Sequence, residues 1–301
     1  RLGSVRVLTY PLSDWGSFFG PIGPNPTATL LAALSYISLG PRDWDVVDLR
    51  WVNNDRCDFR RTEQAMRAAG LQGQKQLWRQ ASMIDMEGTW DSYLASRSRK
   101  WRENLRAKER KLAKRGTVKL VRYRPQGTAS GDGDPRWDLY EMCEQLARKS
   151  WQGASTTGTT MSHPEIRGFL RDMHVRACHA GAVDICILMV DDQPVAFSYQ
   201  YHYQGYVNGL RMGFDPEFSK QGAGTVLVRR MIEDSFARGD RTLDLGTDYL
   251  ECKRHWVTSV AGSYRYSHFA GTGRAQVLRV KRLVDNWWQR GHELASHRVS
   301  A

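Results

Sequence analysis

The residues with the most chemistry in their type and spacing are Gln221, Gly222, Ala223 and Gly224, followed by Thr225. Glycine at the mouth of a helix lets a ligand approach the backbone closely. First-turn N–H groups have no intrahelical partner, and the helix dipole favours an anion there. The stretch is therefore a candidate seat for a pyrophosphate. Two familiar phosphate motifs fit poorly. A P-loop needs Gly-Lys-Ser/Thr, but Gly224 is followed by Thr225-Val226. A dinucleotide fingerprint needs a third glycine, where Leu227 stands, directly after a strand. Asp244 supplies the acid at the right distance, yet the preceding loop is too long. A helix that merely begins with glycines is the plainer alternative.

The elements that must position this stretch follow from periodicity and turn residues. Strands are predicted over 183–190, 193–203 and 205–213, with Asp191-Asp192 and Gln204-Gly205 as turns. A loop containing Pro216 leads to a helix over 222–238 that Gly239 stops. A strand over 241–245, a short helix over 249–256 and a strand over 260–269 complete this part. Upstream, 1–89 reads β-α-β-α-β, an α/β pattern, with Thr27 or Thr29 capping a helix over 27–39. One long helix is expected over 90–115, its apolar side running through Tyr93, Leu94, Trp101, Leu105 and Leu112. A strand at 117–123, a helix at 136–149 and a helix from Pro164 with Ser162 as N-cap follow. An internal echo is present: 20 residues separate Ala28 from Asp48, and 20 separate Gly224 from Asp244, each across a helix, a glycine and a strand.

The chain has 301 residues, 41% hydrophobic and 25% charged, with a net charge of +12. That is globular composition. The charge is not uniform. Residues 97–115 carry ten basic and two acidic side chains, and 274–298 carry six and two, so the rest is neutral overall. An anionic partner is expected first at these two segments. The longest apolar run, Ile185 to Val190, is far short of the ~20 residues a membrane helix needs. Five scattered cysteines form no CxxC or Cys/His cluster, which argues against a disulfide framework and against a metal. Reduced thiols in a cytoplasmic protein are expected. The chain opens on Arg1 and reads as trimmed, so targeting is left open. No zinc-finger, helix-turn-helix or RNA-domain signature indicates a dedicated DNA- or RNA-reading motif.

Three antiparallel strands, a Pro-containing loop, Gly-x-Gly, a helix and a strand, in this order, resemble the core of the GNAT superfamily of acyl-CoA N-acyltransferases. Its loop, Gln/Arg-x-x-Gly-x-Gly/Ala, is matched at Gly222 and Gly224; Ser219 stands at the Gln/Arg position, with Gln221 two residues away. A closer resemblance covers residues 90–290. It rests on Arg97-x-Arg99-Lys100-x-Arg102-x-Asn104-Leu105-Arg106, Lys149-Ser150-Trp151, Leu243-Asp244-Leu245-Gly246-Thr247-Asp248 with Lys253-Arg254-x-Trp256, and Arg274-Ala275-Gln276-Val277-Leu278-Arg279. Together these are similar to the BioF-like and CelD-like proteins of cellulose or exopolysaccharide biosynthesis, distantly similar to the Fem aminoacyltransferases. The resemblance implies an α/β tandem GNAT-like fold, with mixed central sheets flanked by helices. It divides into a partial half at 1–89, an intact half at 90–272 and a basic C-terminal helix at 273–301.

The resemblance also implies acetyl-CoA or another acyl-CoA as co-substrate, with no metal. An amine or hydroxyl of a saccharide or cell-envelope precursor would accept the acyl group. Met212, Gly213, Phe214, Gln221, Gly222, Ala223, Gly224 and Thr225 would hold the acyl-CoA. Asp248 would act as base, Tyr249, or Cys252 in its place, would protonate the thiolate, and Lys253 would neutralise charge. The subgroup usually has Tyr where Cys252 stands. Each has a plainer role: N-cap for Asp248, wall for Tyr249, solvated charge for Lys253. Trp151, Arg99, Arg102 and Arg211 would meet an anionic or saccharide acceptor. The basic segment 97–115 is open to three readings: a solvated face, a clamp for an anionic substrate, or a contact for tRNA or for the inner membrane face. An aminoacyl-tRNA-dependent transferase and a catalytically silent scaffold remain the alternatives.

Overall fold

The structure is a computed structural model; it describes residues 4–10, 16, 18–156, 160–247 and 250–299, with the backbone only for 250, 286 and 288–299. Two compact units form, one from 1–80 with 261–301 and one from 81–260.

In the first unit, β1 (Val7–Leu8) runs parallel to β2 (Val46–Val52), and β2 pairs antiparallel with β9 (Ser259–Phe269). Helix α1 (Pro26–Leu39) begins at Asn25, whose side chain accepts from the Ala28 N–H at 3.0 Å. Pro26 therefore occupies the first helical position, and the cap is Asn25 rather than Thr27 or Thr29. Helix α2 (Arg61–Ala68) follows. Leu30, Leu34, Trp44, Val47, Leu49, Met66 and Tyr266 make the core. Between these neighbours on β2 sits Asp48, fully buried, with Arg50, Arg265 and Arg282 paired to it and the Ser267 hydroxyl donating at 2.6 Å. Burial raises its pKa, but the Arg265 and Ser267 hydrogen bonds and the charges of Arg265 and Arg282 win, holding it at about 2.

The strands of the second unit are the end of β3 (Gln74–Asp85), β4 (Val118–Tyr123), β5 (Val183–Val190), β6 (Gln193–Tyr203), β7 (Tyr206–Phe214) and β8 (Thr242–Thr247). They form a mixed sheet in the order β3–β8–β7–β6–β5–β4. All pairs are antiparallel except β7 with β8. The apolar run in β5 now has a cause: Cys186, Leu188 and Val190 point into one core and Val183, Ile185 and Ile187 into another. A strand covered on both faces loses the polar half of its alternation. Asp184 survives there because Arg122 and Arg124 reach it at 2.7 and 2.9 Å.

Helices α3 (Trp90–Ala95), α4 (Arg99–Ala113) and α7 (Ala223–Ala237) cover the first face. Helices α5 (Trp137–Lys149) and α6 (Pro164–His179) cover the second, and α8 (Leu250–Lys253) is one turn. The single helix expected over 90–115 is two. Ser98 caps α4 by accepting from the Trp101 N–H, while Ser96 turns back onto the Tyr93 carbonyl. Arg97 between them reaches the Val257 carbonyl at 2.8 Å. The cap of α6 is His163, with no side-chain bond, because the Ser162 hydroxyl turns to the Gln152 carbonyl.

Candidate acyl-donor site

The site begins where two parallel strands part. β7 and β8 pair at Tyr206, Val207 and Asn208, opposite Thr242, Leu243 and Asp244. Beyond that point β7 keeps only β6. Across the β6 pair, Tyr199 faces Arg211 while Gln200 faces Gly209, so Leu210 is an extra residue. Such a bulge bends its strand and redirects its polar groups. Glycine is needed at 209, since a Cβ there would stand 2.7 Å from the Asp244 carbonyl oxygen. The result is a strand edge over 210–214 that β8 leaves unpaired, with Met212 exposed and Gly213 buried, beside a helix entrance.

The segment after α5 is fastened across this edge. Lys149 pairs with buried Asp215 at 3.1 Å. The Trp151 indole N–H and the Gln152 amide both donate to the Met212 carbonyl, at 3.2 and 3.3 Å. Gln152 is buried and also accepts from the Met161 N–H. Trp151 is 60% exposed, so its ring is available to a ligand.

Downstream, Asp215 accepts from the Glu217 N–H and opens the turn into α7. The N–H groups of Gln221 and Gly222 are spent on Phe218 and Ser219, and those of Thr225 and Val226 on Gly222. Ala223 and Gly224 donate to no backbone acceptor among the described residues. Gly222 has φ 76°, which a side chain resists. The Gln221 side-chain oxygen is buried without a hydrogen bond.

Over this entrance lies Lys108 of α4. Its ammonium donates to the Thr225 hydroxyl at 2.9 Å, and its stem lies where a Gly222 Cβ would be. A cation at the positive end of a helix is unfavourable on its own. Among the described residues no carboxylate pairs with Lys108. Ala223 is buried and Gly224 half-buried, so the Gly224 N–H, the Lys108 ammonium and the Thr225 hydroxyl are the donors at the helix mouth that an oxyanion would meet.

Of the residues expected at the site, Phe214, Gln221, Gly222, Ala223, Gly224 and Thr225 meet here; the Phe214 ring lies against Gly224. Met212 is exposed and Gly213 buried on the edge that β8 leaves, and the Arg211 guanidinium turns to the Leu210 carbonyl. Lys253 donates to the Gly246 and Thr247 carbonyls at 3.0 and 2.9 Å, fastening the end of β8. Arg99 and Arg102 stand in the first turn of α4. Arg99 pairs with Glu103, about 13 Å along the axis from Lys108. Asp248 and Tyr249 lie outside the described residues. Lys108, Gln152 and the Lys149–Asp215 pair were not anticipated. The signal for Lys108 was present: it shares the inward spacing of Trp101, Leu105 and Leu112. Among the described residues no group of His, Cys, Asp or Glu is arranged to hold a metal.

A model described as the acetyltransferase (GNAT) domain matches residues 99–268. The chain belongs to the GNAT acetyltransferase domain family. Among solved structures, this GNAT chain is similar to the C-terminal domain of a protein described as a lysylphosphatidylglycerol synthetase from Agrobacterium fabrum. That match has a TM-score of 0.53 and 11% identity, over 85% of this chain and 77% of that one, and shows a shared fold. FemX matches at 0.43 and 13% identity over 83% and 79% of the two chains. A tandem GNAT protein from the clavulanic acid biosynthesis pathway matches at 0.43 and 9% over 82% and 70%. A search of curated proteins returns no match. The GNAT fold here is a mixed sheet flanked by helices, as the sequence led us to expect.

Proposed function

We propose that this protein is an acyl-CoA-dependent acyltransferase, of the CelD-like kind, acting on an amine or hydroxyl of a saccharide or cell-envelope precursor. The observation that carries this is the placement of the Lys108 ammonium, the Thr225 hydroxyl and the unbonded Gly224 N–H at the α7 entrance. The pyrophosphate of the acyl-CoA sits there. Its pantetheine arm runs along the edge of β7 that β8 leaves, where amide groups not already bonded to Trp151 or Gln152 can pair as an added strand would. The thioester carbonyl then lies near Met212 to Phe214, beside Trp151.

The acceptor attacks that carbonyl: a C–N or C–O bond forms, the C–S bond breaks, and the thiolate takes up a proton. Asp248 accepts the proton of the acceptor, and Tyr249 supplies one to the thiolate. Lys253, held at the end of β8, offsets negative charge on the intermediate. Trp151, with Arg211 on the same edge, orients the acceptor.

The exposed basic face of α4, with Arg99, Lys100, Arg106 and Arg110, favours a second reading. In it the acyl donor is an aminoacyl-tRNA, bound through its phosphates. A thioester assay decides. Protein, acetyl-CoA and amino-sugar acceptors are mixed, and loss of thioester absorbance is followed. Loss that requires acceptor and protein, and disappears in Gly224→Val, supports acyl-CoA. Thioester left intact, with amino acid transferred from charged tRNA instead, supports the second reading.

A further inference from the structure

Helix α9 (Gly273–Val299) carries a face that the acyl-donor site does not use. Ala275 is buried in the core of the first unit, and Arg282 reaches Asp48 and Ser267. These residues pin one side of the helix. The opposite side is apolar and exposed. Val277, Val280, Leu283, Val284 and Trp287 are between 45% and 72% exposed. Their spacing places all five within about one third of the helix circumference. A soluble surface scatters such residues singly; a contiguous stripe of them marks a contact.

The flanks say what the contact is. Arg274 and Lys281 border the stripe on one side and Arg279 on the other, all exposed, with Asp285 the acidic residue among them. We infer that α9 lies on an anionic lipid surface, its apolar stripe in the acyl boundary and its basic flanks among the headgroups. No helix among the described residues is long and apolar enough to cross a membrane, so the helix would lie in the plane of the surface. A second copy of the chain is the less suitable occupant. Pairing two such stripes would set Arg274, Arg279 and Lys281 of one copy beside a like-charged flank of the other.

Vesicle sedimentation of the whole 301-residue chain tests this. The chain should pellet with equimolar phosphatidylglycerol and phosphatidylcholine, not with phosphatidylcholine alone, and release as salt rises. Val280→Asp with Val284→Asp should weaken binding by at least about tenfold. Arg279→Gln with Lys281→Gln, at exposed sites that leave the core untouched, should weaken it by about fivefold per charge. Absence of pelleting with anionic vesicles would overturn the inference. So would unchanged binding by both double variants. A lipid-free dimer that Val280→Asp dissociates, without vesicle binding, would assign the stripe to a second copy instead.

Discussion

The Lys108 ammonium lies 2.9 Å from the Thr225 hydroxyl, placing a cation from α4 over the positive end of α7. An arrangement that costs the folded chain electrostatic energy has opposite consequences for stability and for binding. Lys108→Met keeps most of the stem and removes the charge. Stability should stay level or rise by about 0.3–1 kcal/mol, as the repulsion with the dipole is relieved. The acetyl-CoA dissociation constant should rise about tenfold, the equivalent of ~1.4 kcal/mol. Denaturant melts and calorimetry read the two quantities separately. A loss of stability with unchanged affinity would make Lys108 a structural residue.

Gly222→Ala places a methyl at a positive φ and against the Lys108 stem, 2.7 Å from its Cδ. The backbone term alone should cost roughly 1–2 kcal/mol. Displacing Lys108 should weaken acetyl-CoA binding as well, so both the urea midpoint and the affinity should fall.

Trp151 and Gln152 donate to the same carbonyl, yet their substitutions should differ. Gln152 is buried and bridges Met212 to Met161. Gln152→Ala takes the acceptor from the buried Met161 N–H, while the Met212 carbonyl keeps Trp151, and should cost about 1–3 kcal/mol. Trp151→Ala, at an exposed ring, should cost less than about 1 kcal/mol. Its effect should appear instead as slower acyl transfer, measured under acceptor-limited conditions.

Asp48 predicts an acid limit. Its folded pKa, about 2, lies below the ordinary carboxylate value of 3.8, so the folded state favours the charged form. The resulting stabilisation is about 2 kcal/mol, fully present above pH ~4 and lost as pH falls through about 2. Asp48→Asn should remove this acid-sensitive component and leave Arg50, Arg265 and Arg282 without their carboxylate. The expected loss at neutral pH is about 3–5 kcal/mol. Urea melts of the two proteins across the acid range check both statements.

The sequence made the α7 entrance legible because its demands are local. A positive φ and a bare first turn need small residues, and Gly222, Ala223 and Gly224 announce them. The three antiparallel strands were legible for the same reason, in the turns at Asp191-Asp192 and Gln204-Gly205. What escaped depends on distant partners. The break after Ala95 hides inside an apolar period that continues from Tyr93 to Trp101, and Arg97 turns to the distant Val257 carbonyl as well as to Ser96 and the Tyr93 ring. Lys253 resembles a solvated charge until the turn at Gly246, φ 82°, presents two carbonyls to it. Lys108 stands on an inward face, yet the sequence does not show that α7 begins beneath it.

The central claim is that the α7 entrance seats the pyrophosphate of an acyl-CoA. Calorimetric titration of acetyl-CoA into the native chain and into Gly224→Val tests it most directly. A Cβ at this position already meets the Phe214 ring at 3.0 Å, and the larger side chain would crowd the unbonded Gly224 N–H. Micromolar binding to the native chain, and none to a folded Gly224→Val, is expected. Equal binding by both, or none by the native chain, would contradict it.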